Sequence, residues 1–164
     1  MGQQQLLLLV LGIVIVGLAV VVGIQAFGEN SIKAKQDRYA NESLAVAADV
    51  VAWQLKPSML GGNQGGSDLS AVSLAALGRE ETTQSSSTSR HDDGQRILQI
   101  VRFDDAPMVR VRDRTTTQGS VWHSVQLHGS SPECWGTEIR VRQVGSVWSY
   151  NGSTDNPDDA ACSW

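Results

Sequence analysis

Few side chains in this sequence could do chemistry. There are two cysteines, Cys134 and Cys162, and three histidines, His91, His123 and His128. A zinc site needs closely spaced Cys, His or carboxylate ligands. Here the histidines are scattered and no C-x-x-C exists. Nucleophilic catalysis needs a serine or cysteine beside a histidine and an acid. Serine is abundant, yet G-x-S-x-G, G-x-G-x-x-G and Walker-type loops are all missing. The expectation is a protein that is not an enzyme, with no catalytic residue, cofactor or metal. Cys134 and Cys162 are a disulfide if their segment is exported and two free thiols if it is not.

A second group is basic. Arg110, Arg112 and Arg114 alternate with Val109 and Val111, and Arg140 and Arg142 alternate with Ile139 and Val141. In a strand that period of two places the arginines on one face and the aliphatic residues on the other. Such rungs can hold phosphate oxygens, pair with Glu138 and Asp113, or meet an acidic patch of a neighbouring molecule such as Asp155, Asp158 and Asp159. A net charge of −4 and a pI near 5.3 argue against a general nucleic-acid binder. Arg110, Arg112, Arg140 and Arg142 are therefore read as solvated or intersubunit contacts, and no specific nucleic-acid partner is expected.

These residues sit in segments of strand character. Residues 96–103, 107–114, 121–128, 137–144 and 147–150 are rich in Val, Ile and aromatics. Between them lie turn formers at 104–106, Gln118-Gly119 and Gly145-Ser146. The pattern predicts an antiparallel sheet of four to five strands. His123 shares parity with Val121 and Val125, which makes it a core or edge histidine. Upstream, residues 59–68 are a Gly-rich connector and 69–77 predict a short helix. Residues 79–95 lack apolar side chains and predict an exposed loop, whose Ser/Thr run could accept O-linked sugars.

The front of the chain is unlike the rest. No charged residue precedes Glu29, and residues 6–24 are all Leu, Val, Ile, Ala or Gly. As a helix they span roughly 28 Å, close to the hydrocarbon thickness of a bilayer. No Lys or Arg precedes the run, and it exceeds the apolar core of a cleavable signal peptide. An uncleaved membrane-compatible helix is expected, with no charge asymmetry to orient it. Gly12, Gly17, Gly23 and Gly28 are either ordinary in such a helix or allow close approach and local melting. From Ser31 onward Ile32, Tyr39, Val46, Val50 and Trp53 recur at spacings that mark an amphipathic helix. Pro57 ends it, so one helix over residues 2–55 is predicted, its second half docking on the sheet through Tyr39 and Trp53. With 164 residues, the chain has room for one folded domain plus one anchoring element.

The first 55 residues resemble the N-terminal helix of type IV pilins and pseudopilins. In that family a prepilin peptidase removes a short basic leader. The mature chain then starts with a methylated apolar residue, carries Glu at its fifth position and continues into an apolar run. Met1 stands at the mature first position, and Leu6 opens the run. Gln5 stands where the family has glutamate, and Val22 where many members have a helix-kinking proline. Gln5 can offer a neighbour's N-terminal ammonium an amide oxygen but no charge, so Gln3, Gln4 and Gln5 would solvate it together.

The resemblance implies an α+β ladle: a long N-terminal helix packed on a C-terminal antiparallel sheet. Residues 1–28 are then the transmembrane and filament-core helix, 29–56 its amphipathic continuation, and 57–164 the globular head. It also implies a structural subunit of a type IV pilus-like extracellular filament, whose surface would serve adhesion, motility or DNA uptake, with nothing in the sequence to select among them. The chain would be held in the inner membrane before assembly and would polymerise with copies of itself. Its partners would be the prepilin peptidase and the pilus assembly machinery. Met1, Gln5, Leu6, Leu9, Ile13, Val16, Val20 and Ile24 would line the filament core. A Cys134–Cys162 disulfide would staple the acidic tail 151–164 to the sheet and contribute about 3–4 kcal/mol through loop closure. The alternatives are a minor pilin or secretion pseudopilin, which the loss of the acidic fifth residue suits, and a monomeric single-span surface protein.

Overall fold

A computed structural model describes residues 2–66, 69, 71–102, 107–128 and 134–142, and the backbone of 148–153. Helix α1 (Gly2–Leu55) is unbroken, as the absence of proline before Pro57 requires. The chain divides into two compact units, residues 1–34 and 35–164. The described residues of the first are helix alone, and its large apolar side chains from Leu6 to Phe27 are exposed on every side.

The second unit contains the remainder of α1 and a seven-stranded sheet in which each strand pairs antiparallel with the next in sequence. The strands are β1 (Thr83–Gln84), β2 (Thr88–Asp92), β3 (Arg96–Val101), β4 (Met108–Asp113), β5 (Val121–Leu127), β6 (Trp135–Arg142) and β7 (Trp148–Ser153). The α+β class stands, but the sheet exceeds the expected four to five strands. The additional strands come from residues 79–95, read above as a loop. Their polar side chains make the turns themselves. Ser85 Oγ and Thr88 Oγ1 lie 2.7 Å apart across the β1–β2 turn, and the Thr88 amide donates to Ser85 Oγ at 3.2 Å. Between β2 and β3, Asp93 Oδ1 accepts the amides of Gln95 (2.9 Å) and Arg96 (2.8 Å), beside Gly94 at φ +87°.

Residues 69–77 do not form the expected helix. Leu69, Val72 and Leu74 are all buried, and positions 72 and 74 point about 200° apart in a helix. Its described residues instead make turns: the Val72 amide donates to the Leu69 carbonyl (3.2 Å), and residues 74–78 turn to Gly78 at φ +74°, with the Arg79 amide on the Leu74 carbonyl (2.8 Å). Buried Ser89 on β2 accepts the Leu74 amide at 2.7 Å.

Most of the core lies on one face of the sheet, with Ile97 buried on the other, opposite Arg112 on β4. Alternation along the strands buries Leu98, Ile100, Val109, Val111, Val121, Val125 and Leu127. From the helix Tyr39, Ser43, Val46, Ala47, Val50 and Trp53 are buried at spacings of mostly three and four. Three polar contacts fix the helix to three strands. Tyr39 Oη donates to Asp113 Oδ1 on β4 (2.6 Å), Ser43 Oγ bonds His123 Nδ1 on β5 (2.5 Å), and Glu42 pairs with Arg96 on β3. Tyr39 thus serves the docking role read from its spacing, whereas Trp53 is buried and donates to the connector rather than to a strand.

The end of α1 is sealed by the Gly-rich connector. Amides of Asn63, Gln64 and Gly65 donate to the carbonyls of Trp53, Lys56 and Gln54, and Trp53 Nε1 donates to the Gly61 carbonyl at 2.8 Å. Helix-terminal carbonyls that have no partner within the helix are met this way.

Candidate functional site

Two surfaces carry the chain's distinctive chemistry, and each is described within its own unit. The first is the apolar stem. Of the residues read as filament core, Leu6, Leu9, Ile13, Val16, Val20 and Ile24 are each more than half exposed, and Gln5 is exposed as well. Met1 lies outside the described residues. The exposure runs around the whole helix, since Leu7, Leu8, Val14 and Val21 are also at least half exposed. An 18-residue window reaches a mean hydropathy of 3.2 with none of it buried, long and apolar enough to cross a membrane. A methyl group added at Gly12, Gly17, Gly23 or Gly28 would meet nothing within 4 Å.

The second surface is the sheet face opposite the core. The register places Arg112, Trp122, Arg140 and Tyr150 in one row across β4 to β7, and Gln99, Arg110, Ser124 and Glu138 in the next across β3 to β6. Trp122 organises the described part of this face. The guanidinium carbon of Arg110 lies 4.5 Å from its ring centroid and that of Arg140 lies 5.0 Å away, within cation–π range. Arg140 gives Nε and Nη2 to Glu138 Oε1 at 2.5 Å. Arg110 reaches Met108 Sδ at 3.3 Å, while its Nε and that of Arg112 are buried without an acceptor among the described residues. Burial, then the neighbouring Arg112 and Arg140, push the Arg110 guanidinium below its ordinary pKa, with Glu138 opposing. Like charges are therefore crowded here, with a single acidic neighbour for three guanidiniums among the contacts just described.

Arg110, Arg112, Arg140 and Arg142, singled out by their alternation with aliphatic residues, all lie on this face. Of the two acids expected to pair with them, Glu138 is a partner and Asp113 is not. Asp113 shares parity with Val109 and Val111, so it turns inward to Tyr39, the Val121 amide (2.8 Å) and Lys35 Nζ (3.6 Å). Trp122 was missed, although the inward placing of His123 already implied that its neighbour points outward.

His123 is 2% exposed and hydrogen-bonded to Ser43, which is itself fully buried. Burial holds the imidazole down at about 4. No carboxylate completes a triad around this closed pair among the described residues, so it ties helix to sheet. Those residues hold no cluster of three or more His, Cys, Asp or Glu that could bind a metal. Cys134 is in a disulfide. Cys162 and the acidic residues Asp155, Asp158 and Asp159 lie outside the described residues, as do the turns read at 104–106 and Gly145-Ser146.

Compared with protein-family models, curated proteins and solved structures, the chain matches none.

Proposed function

We propose that this chain is a structural subunit of a type IV pilus-like filament, with a pilin-like ladle architecture and a core made by stems of identical copies. The observation that carries the reading is the wholly exposed apolar half of α1. Holding that many Leu, Val and Ile side chains in water costs on the order of tens of kcal/mol, so the stem belongs in lipid or among other stems. Moving between those two apolar surroundings changes little hydration, and packing decides the net drive. Copies related by rotation plus rise form an open fibre.

In this reading a prepilin peptidase exposes Met1, the inner membrane holds the stem, and the assembly machinery lifts it into a bundle lined by Gln5, Leu6, Leu9, Ile13, Val16, Val20 and Ile24. The finished fibre lies outside the cell. One observation favours a second reading. Gln5 supplies no charge for the ammonium of a preceding subunit, which suits a minor pilin or pseudopilin at a tip, where no such subunit exists. Stoichiometry in sheared fibres separates the two, because a tip subunit is scarce.

The test is Val16→Asp. One aspartate near the middle of an inserted helix costs about 3 kcal/mol, which the surrounding Leu and Val residues offset. In a bundle the same carboxylate meets its own copies in every subunit. The variant should insert in the membrane and keep a folded head by circular dichroism, yet give no fibres by electron microscopy. Normal fibres would overturn the bundle.

A further inference from the structure

The filament reading assigns the stem but leaves the arginine face without a partner. The Trp122 ring holds the guanidinium groups of Arg110 and Arg140 within cation–π range. A guanidinium held this way keeps its fork of N–H donors pre-organised for a carboxylate. Arg110 and Arg112 meet no carboxylate in any described contact, and a buried Nε on each lacks an acceptor among the described residues. Among the described residues the face therefore carries donors and positive charge in excess of the acceptors they offer.

A surface with the opposite deficit exists on the same head. Glu80 and Glu81 lie just ahead of edge strand β1. The Glu80 side chain is 89% exposed, with its Oε2 3.8 Å from His91 Nε2. Glu81 Oε1 is buried and has no donor among the described residues. The adjacent Arg79 is engaged elsewhere, with Asp49 at 2.6 Å. Strand β1 lies three strands from β4 in the sheet, roughly 14 Å at the usual spacing. Glu80 and Glu81 are thus too far from Arg110 and Arg112 to pair within one head.

We propose that the Arg110–Arg112–Trp122–Arg140 face binds the Glu80–Glu81 edge of a second copy of this chain. The two patches differ, so the contact is head-to-tail. Each head then offers one donor patch and one acceptor patch, and such a contact propagates instead of closing on a pair. This deepens the filament reading by naming the contact between heads, and it rests on that reading for its place in a fibre.

The experiment uses the full chain in neutral detergent micelles, which cover the stems and leave head contacts to be measured by sedimentation velocity. The wild type should self-associate at about 25 mM salt and lose roughly tenfold or more in association constant at about 500 mM, where charge screening is short-ranged. Arg110→Glu with Arg112→Glu should abolish the association, as should Glu80→Lys with Glu81→Lys, and the fourfold reversal should restore it. Arg110→Gln with Arg112→Gln, which adds no repulsion, guards against a misfolded reversal and should also weaken association. Salt-independent association, an unchanged association constant in any of these pairs, or a fourfold reversal that fails to restore it overturns the pairing. So does an arginine reversal that removes binding of a single-stranded oligonucleotide while self-association persists, for the face would then belong to a phosphate polymer. The Val16→Asp variant separates the two claims. It should keep the salt-dependent association in micelles, whereas fibres formed normally by that variant count against the stem bundle alone.

Discussion

Ser43 and His123 show how much a single pair of residues does at the helix–sheet junction. Ser43 Oγ donates to the Ala40 carbonyl at 3.0 Å and bonds His123 Nδ1 at 2.5 Å. With its one proton directed to Ala40, the serine accepts from the imidazole, and this geometry survives protonation of the ring. What opposes protonation is burial, which lowers the His123 pKa from 6.5 to about 4. The sign follows from which state takes the proton first. Below pH 6.5 the unfolded chain protonates this histidine while the folded chain does not, so stability falls as pH drops from 6.5 towards 4. Over that window the loss reaches about 3 kcal/mol. Asp92 and Asp93 have carboxyls held below their ordinary 3.8, chiefly by backbone amides. Their contribution is lost further down, as pH falls below that value. His123→Gln should therefore flatten the dependence of the urea midpoint on pH between 6.5 and 4.5. A slope equal to that of the wild type would show that another group carries the acid sensitivity. At this scale parity was informative: Val121 and Val125 place His123 inward and Trp122 outward. Nothing in the sequence placed Ser43 opposite His123, because that juxtaposition depends on the rotation of α1 over the sheet.

The elements differ in how openly their sequences announce them. Helix α1 and strands β3 to β6 were legible because apolar periodicity is strong where one face is buried. The β1–β2 hairpin was not, since residues 79–95 offer almost no apolar side chain to alternate. Its signal was turn chemistry: Asp93-Gly94 between two extended runs is a hairpin sign, and Thr, Ser and Arg in alternation fill the strands. The turn at residues 74–78 had the reverse fault, an apolar run whose burial on two sides excludes a helix. The segment read as a Gly-rich connector also closes the end of α1. A side chain at Gly62 would bring its first carbon to 2.2 Å from the Lys56 carbonyl oxygen, against backbone that cannot swing away. Gly62→Ala should destabilise the second unit by about 1–3 kcal/mol, read from chemical denaturation of the full chain. An unchanged midpoint would mean that the connector yields freely and does not fix the helix end.

At the scale of the whole molecule, the two units are stabilised by different means. The second has its own core, closed by Val46, Val50, Val109, Val111 and their neighbours. The first has none, and its surroundings must supply one. The stem glycines distinguish these regimes. In the isolated chain a side chain at Gly17 or Gly23 meets nothing within 4 Å, and replacing helical Gly adds about 1 kcal/mol of helix propensity. Gly17→Leu with Gly23→Leu should thus leave membrane insertion and the denaturation midpoint of the head unchanged. A bundle in which small residues let stems approach closely would not accommodate two added isobutyl groups per copy. Fibre yield after shearing should fall at least several-fold, with subunits retained in the membrane fraction. Undiminished yield would place Gly17 and Gly23 away from the helix contacts and leave the larger Leu, Val and Ile side chains to set the spacing of the stems.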